Sequence, residues 1–109
     1  MCEDHPIACR LTEPAKAQRL TDLREDLFAS VIRASETDDG FAFSFTNSDA
    51  RVDHLQRFVA FERECCPFLT FDLRLPPVPQ PIALQLTGNP EIKTFVRDTF
   101  LALLPAAII

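Results

Sequence analysis

Asp38-Asp39-Gly40-Phe41-Ala42-Phe43-Ser44-Phe45 is the stretch that decides what kind of chain this is. Phe41, Phe43 and Phe45 alternate with the small residues Ala42 and Ser44. A period of two puts the rings on one face of a half-buried strand. The preceding Asp38-Asp39-Gly40 reads as a tight turn in which glycine supplies a positive φ. Val31 and Ile32 begin the strand before the turn, so the segment is a β-hairpin.

The pattern changes on both sides. Upstream, Leu20, Leu23 and Leu27 recur at helical spacing. A helix is expected over residues 14–27, with Thr12 as its N-cap and Pro14 in its first turn. Downstream, Asn47-Ser48-Asp49 caps a second helix, whose apolar positions are Val52, Leu55, Phe58, Val59 and Phe61. That helix runs to Cys65 and Cys66 and meets Pro67.

Period two then returns. Leu69, Phe71, Leu73 and Leu75 face one way; Thr70, Asp72 and Arg74 face the other. Pro76-Pro77-Val78-Pro79-Gln80-Pro81 is a stiff connection that cannot join a sheet. Ile82, Leu84 and Leu86 form the next strand. Gly88-Asn89-Pro90 starts a third helix, with Asn89 as cap and Pro90 at the first helical position. Its apolar positions are Ile92, Phe95, Val96, Phe100 and Leu103, and Pro105 stops it.

The order is therefore α-β-β-α-β-β-α, a helix–hairpin unit used twice, over residues 12–46 and 48–87. Consecutive strands pair most simply as antiparallel hairpins. The expected fold is a single α+β domain with a four-stranded antiparallel sheet and helices on one face. Residues 1–11 show no periodicity and read as a flexible segment. The strand bearing Thr70, Asp72 and Arg74 can stand in water. Either a monomer or a dimer fits, and a dimer would use a strand edge or a helix.

Composition narrows the function. A chain of 109 residues is one domain. Its net charge of -5 and pI of about 4.9 repel phosphate backbones, which argues against nucleic acid. The start, Met-Cys-Glu-Asp-His, has no apolar signal region, and no run is long enough for a membrane span. The expected location is the cytoplasm. There the four cysteines are expected as reduced thiols or metal ligands rather than structural disulfides.

The chemistry concentrates in Glu62-Arg63-Glu64-Cys65-Cys66-Pro67-Phe68. Residues three and four apart share a helix face, so Glu62 lies one turn below both cysteines. Pro67 pushes Cys66 out of the helical region. A disulfide between the two neighbours would strain its ring. The pair sits at the negative end of a helix, beside Glu62 and Glu64, with Arg63 as the offsetting charge. That field disfavours a bare thiolate. A bound cation reverses the argument, because it deprotonates the thiols and suits the field. Thiolates select zinc, copper(I) and similar soft ions.

Two cysteines need a further ligand. Cys9 is the best candidate, and Glu62 could ligate or accept a hydrogen bond from a thiol. His54 is poorly placed, about 16 Å before Cys65 along the helix. Cys2 and His5 read as a solvated tail. The plain alternative is packing, since free cysteine is among the most buried residue types. The remaining alternatives are a thiol redox protein using Cys65 and Cys66, and a non-catalytic interaction module. No phosphate loop, nucleophile elbow or paired-histidine motif is present.

Glu62-Arg63-x-Cys65-Cys66-Pro67-Phe68-x-x-Phe71-x-Leu73 resembles the signature of a widespread group of small bacterial proteins without an assigned activity. Cys9-x-Leu11, Gly40-x-x-Phe43-x-Phe45 and Leu86-Thr87-Gly88, with Lys93 and Phe95 after them, extend the resemblance over most of the chain. Asn89-Pro90-Glu91 departs from the Pro-Glu-Gly expected there. The resemblance implies that Cys9, Cys65 and Cys66 belong together as one three-thiol site, suited to zinc or a softer thiophilic metal or metalloid ion.

Overall fold

A computed structural model describes residues 13–104. The helices are α1 (Pro14–Phe28), α2 (Asp49–Cys65) and α3 (Pro90–Thr99). The strands are β1 (Val31–Thr37), β2 (Gly40–Phe45), β3 (Thr70–Arg74) and β4 (Ile82–Thr87). A 3-10 turn, Leu101–Leu103, follows α3. The α-β-β-α-β-β-α order and the antiparallel four-stranded sheet agree with the sequence pattern. Cys2, His5, Cys9, Thr12 and Pro105 lie outside the described residues.

The sheet runs β1-β2-β4-β3, all antiparallel. The two hairpins are thus joined through their second strands. Phe41, Phe43 and Phe45 stand opposite Leu86, Leu84 and Ile82. All six are buried, while Ala42, Ser44, Ala83 and Gln85 between them are not. This is the period-two pattern of a sheet covered on one face. In β3, Phe71 and Leu73 continue the same rows but stay half-exposed at the sheet edge. Leu75 falls beyond the strand and is exposed.

Phe28 closes the core against this face. Its ring lies 5.0 Å from Phe43, 5.7 Å from Phe58 and 5.3 Å from Phe100, centroid to centroid. One ring thereby ties α1 to β2, α2 and the end of α3. Offset and edge-on ring pairs at such distances add to the area they bury.

Several local expectations are corrected. Gly40 is not a positive-φ turn residue; no described residue has positive φ. The loop is Asp38-Asp39, and Gly40 pairs with Thr37 on one side and Thr87 on the other. Glycine is required there because a Cβ would stand 1.9 Å from the Leu86 carbonyl oxygen. In β1, a register shift between Val31 and Arg33 leaves Ile32 without an opposite residue, and its side chain faces out. The N-cap of α1 is Glu13, with no side-chain hydrogen bond to the helix. Helix α3 ends at Thr99, short of Pro105, because the chain tightens into the 3-10 turn.

Other signals hold. The Ser48 hydroxyl accepts from the Arg51 N–H, and Asn89 accepts from the Ile92 N–H. Asn47 instead ties down the proline-rich connection, donating to the carbonyls of Pro76 and Gln80 at 2.8 and 2.9 Å. Lys93 fastens α3 to the first hairpin through the Thr37 carbonyl (2.8 Å) and the Glu36 carboxylate (2.6 Å). Among the described residues, no helix is long and apolar enough to cross a membrane.

Candidate thiol–carboxylate site

The end of α2 is where the expected chemistry gathers. Cys65 is the last helical residue, and Cys66 leaves the helix at φ -125° and ψ 70°. The following proline accounts for that exit. The Cys66 N–H still donates to the Glu62 carbonyl at 2.6 Å, and the Cys66 carbonyl accepts from the Leu69 N–H at 3.1 Å. The chain therefore turns sharply under the cysteines and enters β3.

This turn brings side chains together. A carboxylate oxygen of Glu62 and the sulfurs of Cys65 and Cys66 all lie within 4.8 Å of one another. All three residues are fully buried. Glu62, which could have been an ordinary solvated helix residue, is instead a carboxylate sealed in the interior.

Its charge is met by a residue the sequence reading overlooked. Arg24 of α1 donates from Nε to Glu62 Oε2 at 2.5 Å and from Nη2 to Oε1 at 2.9 Å. This is a two-point guanidinium–carboxylate pair. The same Nη2 lies 3.8 Å from Cys65 Sγ and 3.7 Å from Cys66 Sγ. The guanidinium carbon sits 5.1 Å from the centre of the Phe100 ring, a cation–π contact. Arg24 is thus clamped between the aromatic core and the thiol cluster. No buried side-chain nitrogen or oxygen among the described residues lacks a hydrogen-bond partner.

The signal for Arg24 was present in the spacing. The buried stripe of α1 is Leu20, Leu27 and Phe28, and Leu23 is only half-buried. Arg24 lies four residues after Leu20 and four before Phe28, so it belongs to the inward face. Arg63, the neighbour expected to offset the charge, is exposed.

Electrostatics at Cys66 agree in sign with the helix-end argument and differ in cause. Burial, then the negative charge of Glu62, pushes the thiol up to about 12, against the opposing pull of Arg24. For Arg24, burial favours losing the proton, but the bond to Glu62 and its charge outweigh that, and the net shift is upward. The site thus holds a fixed cation, a carboxylate and a neutral Cys66 thiol.

No family model, curated protein or solved structure compared with this chain matches it. The site therefore has to be read from its own chemistry.

The expectation that every cysteine is a reduced thiol does not hold for Cys65, which is disulfide-bonded. The bond is not to its neighbour, because Cys66 is a free thiol. The compartment argument concerns which redox state a cell favours, whereas the bond follows from where the fold places sulfur atoms. Reduction returns Cys65 to the thiol form that a metal would need.

The structure brings Glu62, Cys65 and Cys66 together. Cys9 lies outside the described residues. His54 lies three turns earlier on α2, where Arg51 Nη1 donates to its Nδ1 at 3.0 Å. Burial and the neighbouring Arg51 and Arg57 hold His54 below its ordinary range.

Proposed function

We propose that the reduced protein binds a thiophilic metal or metalloid ion through Cys65 and Cys66, with Glu62 at the same centre. The observation that carries this reading is the mutual approach, within 4.8 Å, of one carboxylate oxygen and two sulfurs in a fully buried position. Soft donors in that arrangement favour zinc or a softer ion. The burial of all three residues supports retention of the ion. Cys9 is the third thiol in this reading, on the strength of the motif resemblance. The protein would act in a reducing, cytoplasmic setting as a buffer, carrier or sensor of the ion.

Titration of the fully reduced protein tests this, followed by the thiolate-to-metal charge-transfer band. Replacing Cys65 or Cys66 by Ser should abolish the band. No band with metal in excess, together with undiminished thiol reactivity, would dismiss it.

One observation favours a second reading, a thiol redox protein. A disulfide-bonded Cys65 stands next to a free Cys66 under one guanidinium. Two facts place it second. The Cys66 thiol is pushed up rather than down, which withholds the nucleophilic thiolate. Attack by Cys66 on its own neighbour would also create the strained adjacent disulfide.

A further inference from the structure

Arg24 bears on which thiophilic species the site would take. A bare divalent cation wants the Glu62 oxygens as ligands, but Arg24 already holds both through Nε and Nη2. It would also sit beside a fixed positive charge, because Nη2 lies 3.7 and 3.8 Å from the two sulfurs. Arg24 is not free to swing away without cost. Its side chain is 15% exposed, it stacks on Phe100, and its departure would strand Glu62, which is 0% exposed.

A different ligand uses all of these groups at once. Its centre must be soft enough for sulfur, and it must carry oxygen that accepts from the guanidinium. Nη2 is a donor that lies within 3.8 Å of both sulfurs. The Glu62 carboxylate, a hydrogen-bond length from Nη2, can accept a proton from a hydroxyl held there.

We propose that the site selects a trivalent hydroxo-metalloid of the arsenite type over a bare divalent cation, with Arg24 as the residue that sets this preference. The inference rests on the thiophilic-ion reading above for Cys65 and Cys66 alone; the third position on the metalloid is held by oxygen and not by Cys9. Binding would be a condensation on the reduced protein, after a phosphine or dithiol reductant has supplied two electrons to open the Cys65 disulfide and return Cys65 to S–H. The Cys65 and Cys66 S–H groups each replace one hydroxyl, so two As–O bonds break and two As–S bonds form. The two thiol protons leave with the two hydroxyls as two waters. Arsenic stays trivalent, and no electron is transferred. The remaining hydroxyl accepts from Arg24 Nη2 and donates to Glu62.

The test compares sodium arsenite with zinc chloride on the protein reduced with a phosphine, which avoids competing thiols. Binding is read by calorimetry and by the mass of the complex. The wild-type protein should bind arsenite one-to-one and more tightly than zinc. Arg24→Gln should weaken arsenite by at least about tenfold, the range for losing a charged hydrogen bond, and should strengthen zinc by freeing Glu62. Arg24→Lys keeps the charge beside Glu62 and guards against a folding failure. It should weaken arsenite by roughly several-fold, because lysine lacks the planar fork. Zinc bound more tightly than arsenite by the wild-type protein would overturn the preference while leaving the thiophilic site standing. Equal loss of both ligands in the Arg24 variants would do the same. Binding of neither would remove both proposals together.

Discussion

Arg24 and Glu62 meet across the α1–α2 contact through two hydrogen bonds of 2.5 and 2.9 Å, beneath the Cys65–Cys66 corner. The pair is 38 residues apart in sequence, and it ties α1 to the last turn of α2. It also makes the thiol cluster a charged, hydrogen-bonded environment rather than an apolar pocket. A buried ion pair of this kind adds little net stability compared with a well-packed apolar substitute. Breaking it from one side is another matter.

Arg24→Met leaves the Glu62 carboxylate buried without its partner. The expected loss is about 3–5 kcal/mol, measurable by urea unfolding. Arg24→Met combined with Glu62→Met removes both charges and should recover most of that loss. A double variant no more stable than the single one would show that Arg24 contributes through packing on Phe100 and not through the pair.

The Cys66 thiol gives a pH signature. Its folded value of about 12 lies above the roughly 8.5 of an unfolded cysteine. The folded state therefore holds the proton more tightly than the unfolded state. The resulting stabilisation is complete below about pH 8.5 and is lost as pH rises toward 12. Denaturant midpoints should hold level from pH 7 to about 8.5 and fall above it, and Cys66→Ala should flatten that fall. Alkylation of Cys66 in the folded protein should be slow at neutral pH and show no midpoint near 8.5.

Gly40 tests the sheet. Its missing Cβ makes room for the Leu86 carbonyl, a backbone atom that cannot rotate away. Gly40→Ala should push β2 from β4 and cost about 3 kcal/mol or more, at the upper end of overpacking effects. Gly40→Ala tolerated without loss would contradict the β2–β4 register.

Phe28→Ala removes the ring shared by Phe43, Phe58 and Phe100. A loss of about 3–5 kcal/mol is expected. Because Arg24 packs on Phe100, the same variant should also raise the reactivity of Cys66. Stability and thiol accessibility are thus predicted to move together.

Much of the architecture was legible because its signals are local. Period-two runs at Phe41–Phe45 and Ile82–Leu86, helical runs between them, and Ser48 and Asn89 as caps all depend on neighbours in sequence. Strand order depends on contacts across the chain, so the β2–β4 junction could not be read. The role of Gly40 was misread for the same reason: the atom that forbids a side chain belongs to Leu86, in another hairpin. At the site, Glu62, Cys65 and Cys66 follow from helix periodicity. Arg24 was readable from the Leu20–Phe28 stripe, but its partner Glu62 lies 38 residues on in another helix, beyond any local rule. The relation of Cys9 to the pair is a long-range contact, and no local rule supplies it.

The central claim is that Cys65 and Cys66 hold one thiophilic ion between them. Its most direct test is differential alkylation of the reduced protein, with and without one equivalent of ion, read peptide by peptide in mild denaturant where both thiols are accessible. The account predicts that Cys65 and Cys66 are protected together by one ion, and that either single Ser variant removes protection from the other. Unchanged alkylation of both cysteines in the presence of zinc, copper(I) and arsenite would contradict it and leave the pair as part of the core.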